Sequence, residues 1–178
     1  MGFYGLLRRS ELISLTMSDI SFHSCHLEIF IRKSKNDRVG KGASVCLVNT
    51  TKDHIRIRDR VASLHQARLA QGAKPSDALF TTWNLDEYRL SNLPFKNGQA
   101  LAERLKTYLI ELKSRYPKLQ LNPHSYGMHS LRRGGTVAAW AAGMDKERLK
   151  AHGRWRSDAV EAYMVADLTI KLSVTKSM

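Results

Sequence analysis

The stretch HSLRRGGTVAAWAAG, residues 129–143, reads as a buried, alanine-rich helix that ends at Gly143. Alanine and leucine favour helix formation, and the charged residues lie close to the start of the segment. His129 and Arg132 stand three residues apart, so their side chains project from one side of the helix. Such a pair is most often solvated or part of a helix cap, and only partners elsewhere in the chain would give it a function.

The next distinctive stretch is HGRWRSDAVEAYM, residues 152–164. Ser157 is a good N-cap for a helix that runs through Tyr163. Tyr163 shares helical spacing with Val160 and Met164, which is typical of a core aromatic. The three basic residues beside it are instead typical of a phosphate site. The segment therefore holds either an ordinary core tyrosine or a nucleophile.

The charge balance favours a polyanionic partner. The chain has 178 residues, enough for one domain, and carries 29 Lys plus Arg against 16 Asp plus Glu, a net charge of +13. A domain this basic usually binds DNA, RNA or an anionic membrane surface. We expect no membrane span, because no window approaches about 18 apolar residues. We expect no secretory signal, because the N-terminal charges follow the apolar run.

The two cysteines, Cys25 and Cys46, are too few for a disulfide framework and fit a reduced intracellular protein. Cys25 with His23 and His26 offers half of a metal site. No second ligand pair has the right spacing, so we expect neither a metal nor a cofactor.

The remaining patterns predict an α+β fold, mainly α, with a small antiparallel β-hairpin. The hairpin joins HLEIFIRKS and SVCLVN through a basic loop rich in turn residues. The segment KPSDALFTTWNLDEYRLSNLPFKNG reads as irregular, with a possible short strand at Ala78–Thr81. The predicted helices lie at residues 4–15, 51–72, 97–117, 129–143, 145–153 and 157–163.

Cleaving a phosphodiester without a metal requires fixed cations with forked donors, which favours arginine over lysine. It also requires a nucleophile that attacks phosphorus and an acid that protonates the leaving oxygen. The chain offers candidates for these roles in Arg8, Lys35, His129, Arg132 and Tyr163. Each residue alone is weak evidence, but their order along the chain is informative.

This order resembles the tyrosine recombinase, or phage integrase, family. The matching pieces are GLLRRSELISLTMSDI, IRKSKNDRVGKG, MHSLRRGGTVAAWAAGM and HGRWRSDAVEAYM, which span Gly5 to Met164. The pieces HSLRRGG, SKND and GRW look especially similar to recombinases of eukaryotic mobile elements, such as DIRS-like retrotransposons and Cryptons.

The resemblance implies a role for each candidate. Arg8 and Arg132 would clamp the scissile phosphate, and His129 would hydrogen-bond the phosphate and assist proton transfer. Lys35 would protonate the leaving 5′-oxygen. Tyr163 would form a 3′-phosphotyrosyl bond, which conserves bond energy, so that rejoining needs neither ATP nor a metal.

The last phosphate ligand stays open between two neighbours. Arg154 lies at the family's register, nine residues before Tyr163, whereas Trp155 has the more usual side chain. Lys41 is a weaker rival to Lys35 as the acid. Further basic residues expected to contact DNA are Lys33, Arg38, Lys41, Arg133 and Arg156. Glu11 and Asp19 resemble positions that are structural in the family, and we assign them no catalytic role.

The resemblance also implies a single catalytic domain over residues 1–178, truncated at its N-terminus and without the N-terminal domain that closes around DNA. The partners would be double-stranded DNA and further copies of the chain, as a tetramer. The location would be nuclear if the source is eukaryotic and otherwise cytoplasmic. The alternative is a DNA-binding module, or a mobile-element remnant, that has lost recombinase activity.

Overall fold

The computed structural model describes residues 1–34, 37, 39–50, 54–84, 86–87 and 89–164. The α-helices are α1 (Arg9–Ser14), α2 (Ile57–Ala70), α3 (Gly98–Arg115), α4 (Met128–Ala141) and α5 (Lys146–Gly153). The strands are β1 (Ile20–Phe22), β2 (Leu27–Ile31), β3 (Ala43–Leu47), β4 (Thr81–Asn84) and β5 (Arg89–Pro94). Short 3₁₀ turns lie at Met17–Asp19, Pro123–Ser125 and Asp158–Tyr163. The architecture is α+β and mainly α, as the sequence predicts.

Strands β1, β2 and β3 form an antiparallel sheet in chain order. Leu27 pairs with Leu47 and Ile29 with Val45, so that alternate residues turn inward and are fully buried. The predicted hairpin is confirmed as β2–β3. The additional strand β1 has only three residues, too few for a period-two pattern to be recognised.

The structure corrects several predicted boundaries. The predicted helix 4–15 shrinks to α1, because Leu6 adopts a left-handed backbone with φ 48° and residues 2–5 form a turn before it. The segment read as irregular pairs β4 with β5 in a second antiparallel sheet, whereas Ala78 makes only an isolated bridge to Thr16. The last predicted helix is a 3₁₀ segment ending at Tyr163.

The N-terminal turn packs directly on α4. A β-carbon at Gly135 would lie 2.1 Å from the carbonyl oxygen of Phe3, so only glycine permits this approach. The contact brings the backbone of Leu6 above the buried face of α4, where Arg132 lies. Among the described residues, no helix is both long and apolar enough to cross a bilayer.

Candidate active site

The first cation of the site is Arg8, which is held in place by contacts at the start of α1. Arg8 precedes the helix, and its guanidinium donates to Glu11 Oε1 at 2.7 Å while its backbone N–H donates to Oε2 at 2.7 Å. Glu11 is only 1% exposed. The carboxylate therefore caps the helix start and holds the Arg8 side chain at the same time.

The second cation, Arg132, is held by two backbone carbonyls. Its guanidinium donates to the carbonyl of Leu6 and to that of Gly153, the latter at 2.6 Å. Arg132 is 2% exposed, yet it lines an open cleft. A guanidinium carries five N–H donors, so donors remain for a ligand that enters this cleft. The two carbonyls fix the orientation of the fork.

Trp155 lies over Arg132, with 4.1 Å between the guanidinium carbon and the ring centroid. This is a cation–π geometry, for which tryptophan is the best aromatic partner. The ring folds back over the end of α5, where a β-carbon at Gly153 would lie 1.7 Å from a ring carbon. Gly153 is therefore needed for the position of Trp155 and also supplies a carbonyl to Arg132.

Tyr163 and His129 form a hydrogen-bonded pair. The phenolic oxygen lies 2.9 Å from His129 Nε2, and the rings of Trp155 and Tyr163 have centroids 5.9 Å apart. In the tautomer with the proton on Nδ1, Nε2 accepts the phenol proton. His129 is exposed and Tyr163 is half-buried, so both reach the solvent-facing side of the site. The structure thus places Tyr163 in a cleft, not in the core.

A single cleft of about 810 Å³ gathers five of the predicted residues. Its lining includes Arg8, His129, Arg132, Trp155 and Tyr163, contributed by the start of α1, by α4 and by the segment after α5. These residues span most of the chain, and the fold brings them together.

Arg154 points away from that cleft. It occupies a left-handed backbone position, φ 59°, at the end of α5. Its guanidinium donates to Glu11 Oε2 at 2.8 Å and to the carbonyls of Gly5, Leu6 and His152. Arg154 therefore links the end of α5 to the N-terminal segment through hydrogen bonds. Its neighbour Trp155 is the residue that faces the cleft.

The site carries an excess of positive charge, and this excess shifts the pKa values of its residues. Burial, and then the nearby cations Arg8 and Arg154, together lower the pKa of Arg132 to about 10. The pKa of Arg154 is also lowered, mainly by burial. Burial alone would raise the pKa of Glu11, but Arg154 and then Arg8 outweigh it and the net shift is downward. Arg8 and Arg154 thus share one buried carboxylate, and Arg132 lies near it without pairing with it. The excess of positive charge favours an incoming anion.

The other predicted DNA contacts lie in different places. Lys33, Arg133 and Arg156 are exposed. Lys41 and Arg156 line a smaller cleft of about 410 Å³ next to Trp155. The predicted acid, Lys35, and Arg38 lie outside the described residues.

Sequence reasoning missed several residues of the main cleft. Lys106 on α3, His124 in the 3₁₀ turn before α4 and Tyr126 just after that turn all line it. His124 and Tyr126 belong to the stretch LNPHSYGM, which lies between the predicted helices 97–117 and 129–143 and precedes the HSLRR motif. Tyr126 is a second cleft tyrosine and thus a rival to Tyr163 as the nucleophile.

Comparisons with known proteins give structural neighbours only. No family model matches the chain, and no curated protein matches it. The chain is similar to the Tn1549 transposon integrase in complex with transposon right end DNA, with a TM-score of 0.62 and 16% identity over 99% of this chain and 56% of that one. It is also similar to the XerH site-specific recombinase bound to palindromic difH substrate, with a TM-score of 0.63 and 17% identity over 99% of this chain and 42% of that one.

A further neighbour is the XerA recombinase, with a TM-score of 0.65 and 15% identity over 99% of this chain and 54% of that one. The chain therefore spans about half the length of these structures. The match runs over nearly every residue of this chain and agrees with its helices and its small sheets. The protein has the fold of the catalytic domain of tyrosine recombinases.

Proposed function

We propose that the chain cleaves and rejoins DNA strands through a 3′-phosphotyrosyl intermediate, without a metal or ATP. The observation that carries the proposal is the cleft in which Tyr163 and His129 face Arg8, Arg132 and Trp155. A nucleophile, a proton acceptor and fixed guanidinium donors are what attack on a phosphodiester requires.

In the cleavage step, the Tyr163 oxygen attacks phosphorus and its proton passes to His129 Nε2. The bond from phosphorus to the 5′-oxygen breaks, and a general acid gives that oxygen a proton, so a 5′-hydroxyl is released. We assign this acid to Lys35 by resemblance. In the rejoining step a 5′-hydroxyl attacks the phosphotyrosine, and the proton transfers run in reverse.

Arg8 and Arg132 stabilise the charge that develops on the nonbridging oxygens. Both guanidiniums are positioned before substrate arrives, Arg8 by Glu11 and Arg132 by two carbonyls. Donors that need no reorganisation at the moment of reaction are the effective ones. Trp155 supplies an indole N–H, the remaining donor to the phosphate.

The wider setting is part of the same proposal. The enzyme would come from a mobile element, of the DIRS-like or Crypton-like kind that its motifs resemble. It would act in the nucleus of a eukaryotic source and otherwise in the cytoplasm. Strand exchange would join two duplexes within a tetramer. The second candidate function is a DNA-binding module without catalysis, and it is favoured by the net charge of +13, which requires only a polyanionic partner.

A covalent-trapping experiment separates the two candidates. The protein is incubated with a pool of nicked duplexes of randomised sequence, in which the released strand fragment diffuses away and rejoining is blocked. We expect a protein–DNA adduct that survives SDS. Tyr163→Phe should abolish the adduct and keep salt-sensitive DNA binding.

Tyr126→Phe is the matched control, because Tyr126 lines the same cleft. It should retain the adduct. DNA binding without any adduct in the unaltered protein would favour the binding module. An adduct that persists in Tyr163→Phe and disappears in Tyr126→Phe would reverse the assignment of the nucleophile.

A further inference from the structure

We propose that the turn between β1 and β2 binds a divalent transition-metal ion, Zn²⁺ foremost, through His23, His26 and Glu28. The turn is separate from the lining of the candidate active site. The ion has no part in the phosphotyrosyl chemistry proposed above, and the two proposals stand or fall independently.

The register of the hairpin brings these side chains to one face. Ser21 pairs with Glu28 and Phe22 with Leu27. The next positions along are His23 and His26, whose backbone is joined by a hydrogen bond from the N–H of His23 to the carbonyl of His26 at 2.9 Å. Residues two apart on a strand share a face, so both histidines stand beside Glu28.

The side-chain geometry fits a metal site. The two imidazoles stack, with centroids 4.3 Å apart and planes within 10°. His23 Nε2 lies 3.3 Å from Glu28 Oε2, and one ligand atom from each of the three residues lies within 4.8 Å of the others. Tetrahedral ligands at about 2.0–2.2 Å from zinc stand roughly 3.3–3.6 Å apart, so small rotations complete the set.

The ligand types and the contacts around them agree with a zinc site. Two histidines and one glutamate form a known zinc ligand set. Arg58 donates to the carbonyl of His23 at 2.8 Å and so anchors the turn from α2.

We assign the fourth ligand to Cys25. Its sulfur lies 3.4 Å from His26 Nδ1, and a thiolate is a preferred zinc ligand. The other cysteine, Cys46, pairs with Glu28 across the sheet on β3 and is the alternative. Sequence spacing alone disfavoured a metal here, because Glu28 becomes a partner of the histidines only when the hairpin forms.

The direct test uses metal-stripped protein titrated with Zn²⁺ in a calorimeter and with Co²⁺ in a spectrophotometer. We expect one equivalent of Zn²⁺ to bind in the micromolar range. Co²⁺ should give the visible bands of a tetrahedral site and a near-ultraviolet thiolate charge-transfer band. Saturating Zn²⁺ should raise the melting temperature, because it binds only the folded turn.

His23→Ala, His26→Ala and Glu28→Gln should each weaken Zn²⁺ binding at least tenfold, while melting in metal-free buffer stays as in the unaltered protein. His54→Ala is the control, since this histidine is exposed and outside the cluster. The site is disproved if the unaltered protein binds Zn²⁺ no more tightly than a His23→Ala, His26→Ala double variant. It is equally disproved if His54→Ala weakens binding as much as His23→Ala.

Two serine variants test the thiolate. Cys25→Ser should remove the charge-transfer band and Cys46→Ser should retain it. A band that survives in Cys25→Ser, or that disappears in Cys46→Ser instead, would overturn the assignment of Cys25.

Discussion

Arg154 and Trp155 are neighbours with opposite environments. Arg154 reaches back to the buried Glu11, whereas Trp155 lies over Arg132 and faces the cleft. Register along the sequence favoured Arg154 as the phosphate ligand, and side-chain type favoured Trp155. The left-handed backbone at Arg154 turns its side chain aside and brings the next residue into the cleft. We therefore assign the phosphate contact to Trp155.

This assignment predicts different losses for the two residues. Arg154→Ala should lower the free energy of unfolding by about 1–3 kcal/mol, because Glu11 loses a buried charged donor. Trp155→Phe should leave stability nearly unchanged and slow adduct formation by roughly 100-fold, the usual cost of losing one transition-state donor. Urea unfolding and the rate of trapping measure the two effects.

Arg156→Ala is the control for stability, because Arg156 is exposed. Its free energy of unfolding should stay within about 0.5 kcal/mol of the unaltered protein. The assignment is wrong if Arg154→Ala slows trapping while leaving stability intact and Trp155→Phe does not.

The sequence predicts residue types and their order well, and it predicts contacts poorly. It singled out Arg8, His129, Arg132 and Tyr163, all of which the fold brings to one cleft. It did not predict that Glu11 would bridge Arg8 and Arg154, since that contact joins residues 143 positions apart. Tyr126 was missed for the same reason, because only the packing of its loop places it in the cleft.

At the scale of elements, α4 and the N-terminal turn form one positioning unit. Gly135 lets the backbone of Phe3 touch the helix, and the carbonyl of Leu6 then holds Arg132. The mostly α architecture and the β2–β3 hairpin follow from periodicity. The β4–β5 sheet does not, because its exposed Trp83 and Leu93 break the alternation of apolar and polar residues that marks a half-buried strand.

Gly135→Ala should separate the turn from α4. The added methyl meets backbone, which cannot rotate aside, so we expect a loss of about 1–3 kcal/mol in the free energy of unfolding. Gly134→Ala is the matched control, because its β-carbon would lie no closer than 3.4 Å to the ring of Phe3. It should be neutral or stabilising by up to about 1 kcal/mol. Urea unfolding measures both free energies. Equal losses in Gly135→Ala and Gly134→Ala would refute this view of the contact.

The stability that the contact between α5 and the N-terminal turn gives to the fold should depend on pH. His152 Nε2 lies 2.8 Å from the carbonyl of Tyr4. Burial, then Arg154 and Arg132, lower the pKa of His152 below its ordinary 6.5. Below that value the unfolded chain takes up a proton that the folded chain resists, so stability falls as the pH drops.

The melting temperature should therefore decrease between about pH 7 and pH 5. His152→Gln keeps an N–H for the Tyr4 carbonyl and removes the titration, so its decrease should be shallower. The effect of Glu11 belongs to a lower pH, because its lowered pKa starts from 4.5. If the melting temperature of His152→Gln falls with pH as steeply as that of the unaltered protein, His152 does not cause the decrease.

At the scale of the whole molecule, the net charge of +13 predicts binding dominated by phosphate contacts. The logarithm of the DNA association constant should fall linearly with the logarithm of salt concentration. Lys41→Ala and Arg133→Ala should each make that slope shallower by about one. Lys113→Ala is the control, since its ammonium already donates to the carbonyls of Pro117 and Leu119. Fluorescence anisotropy over a salt series measures these slopes, and unchanged slopes for Lys41→Ala and Arg133→Ala would remove both residues from the interface.

The central claim is that one tyrosine, brought beside His129 and two arginines by the fold of nearly the whole chain, attacks a DNA phosphate. The most direct measurement is the chemical identity of the covalent link. The trapped adduct is digested with nuclease and protease, and the modified peptide is sequenced by mass spectrometry. The account predicts a nucleotide joined through its 3′-phosphate to Tyr163, an unmodified Tyr126, and a free 5′-hydroxyl on the released strand. A link to any other residue, or a released strand that carries a 5′-phosphate, would contradict it.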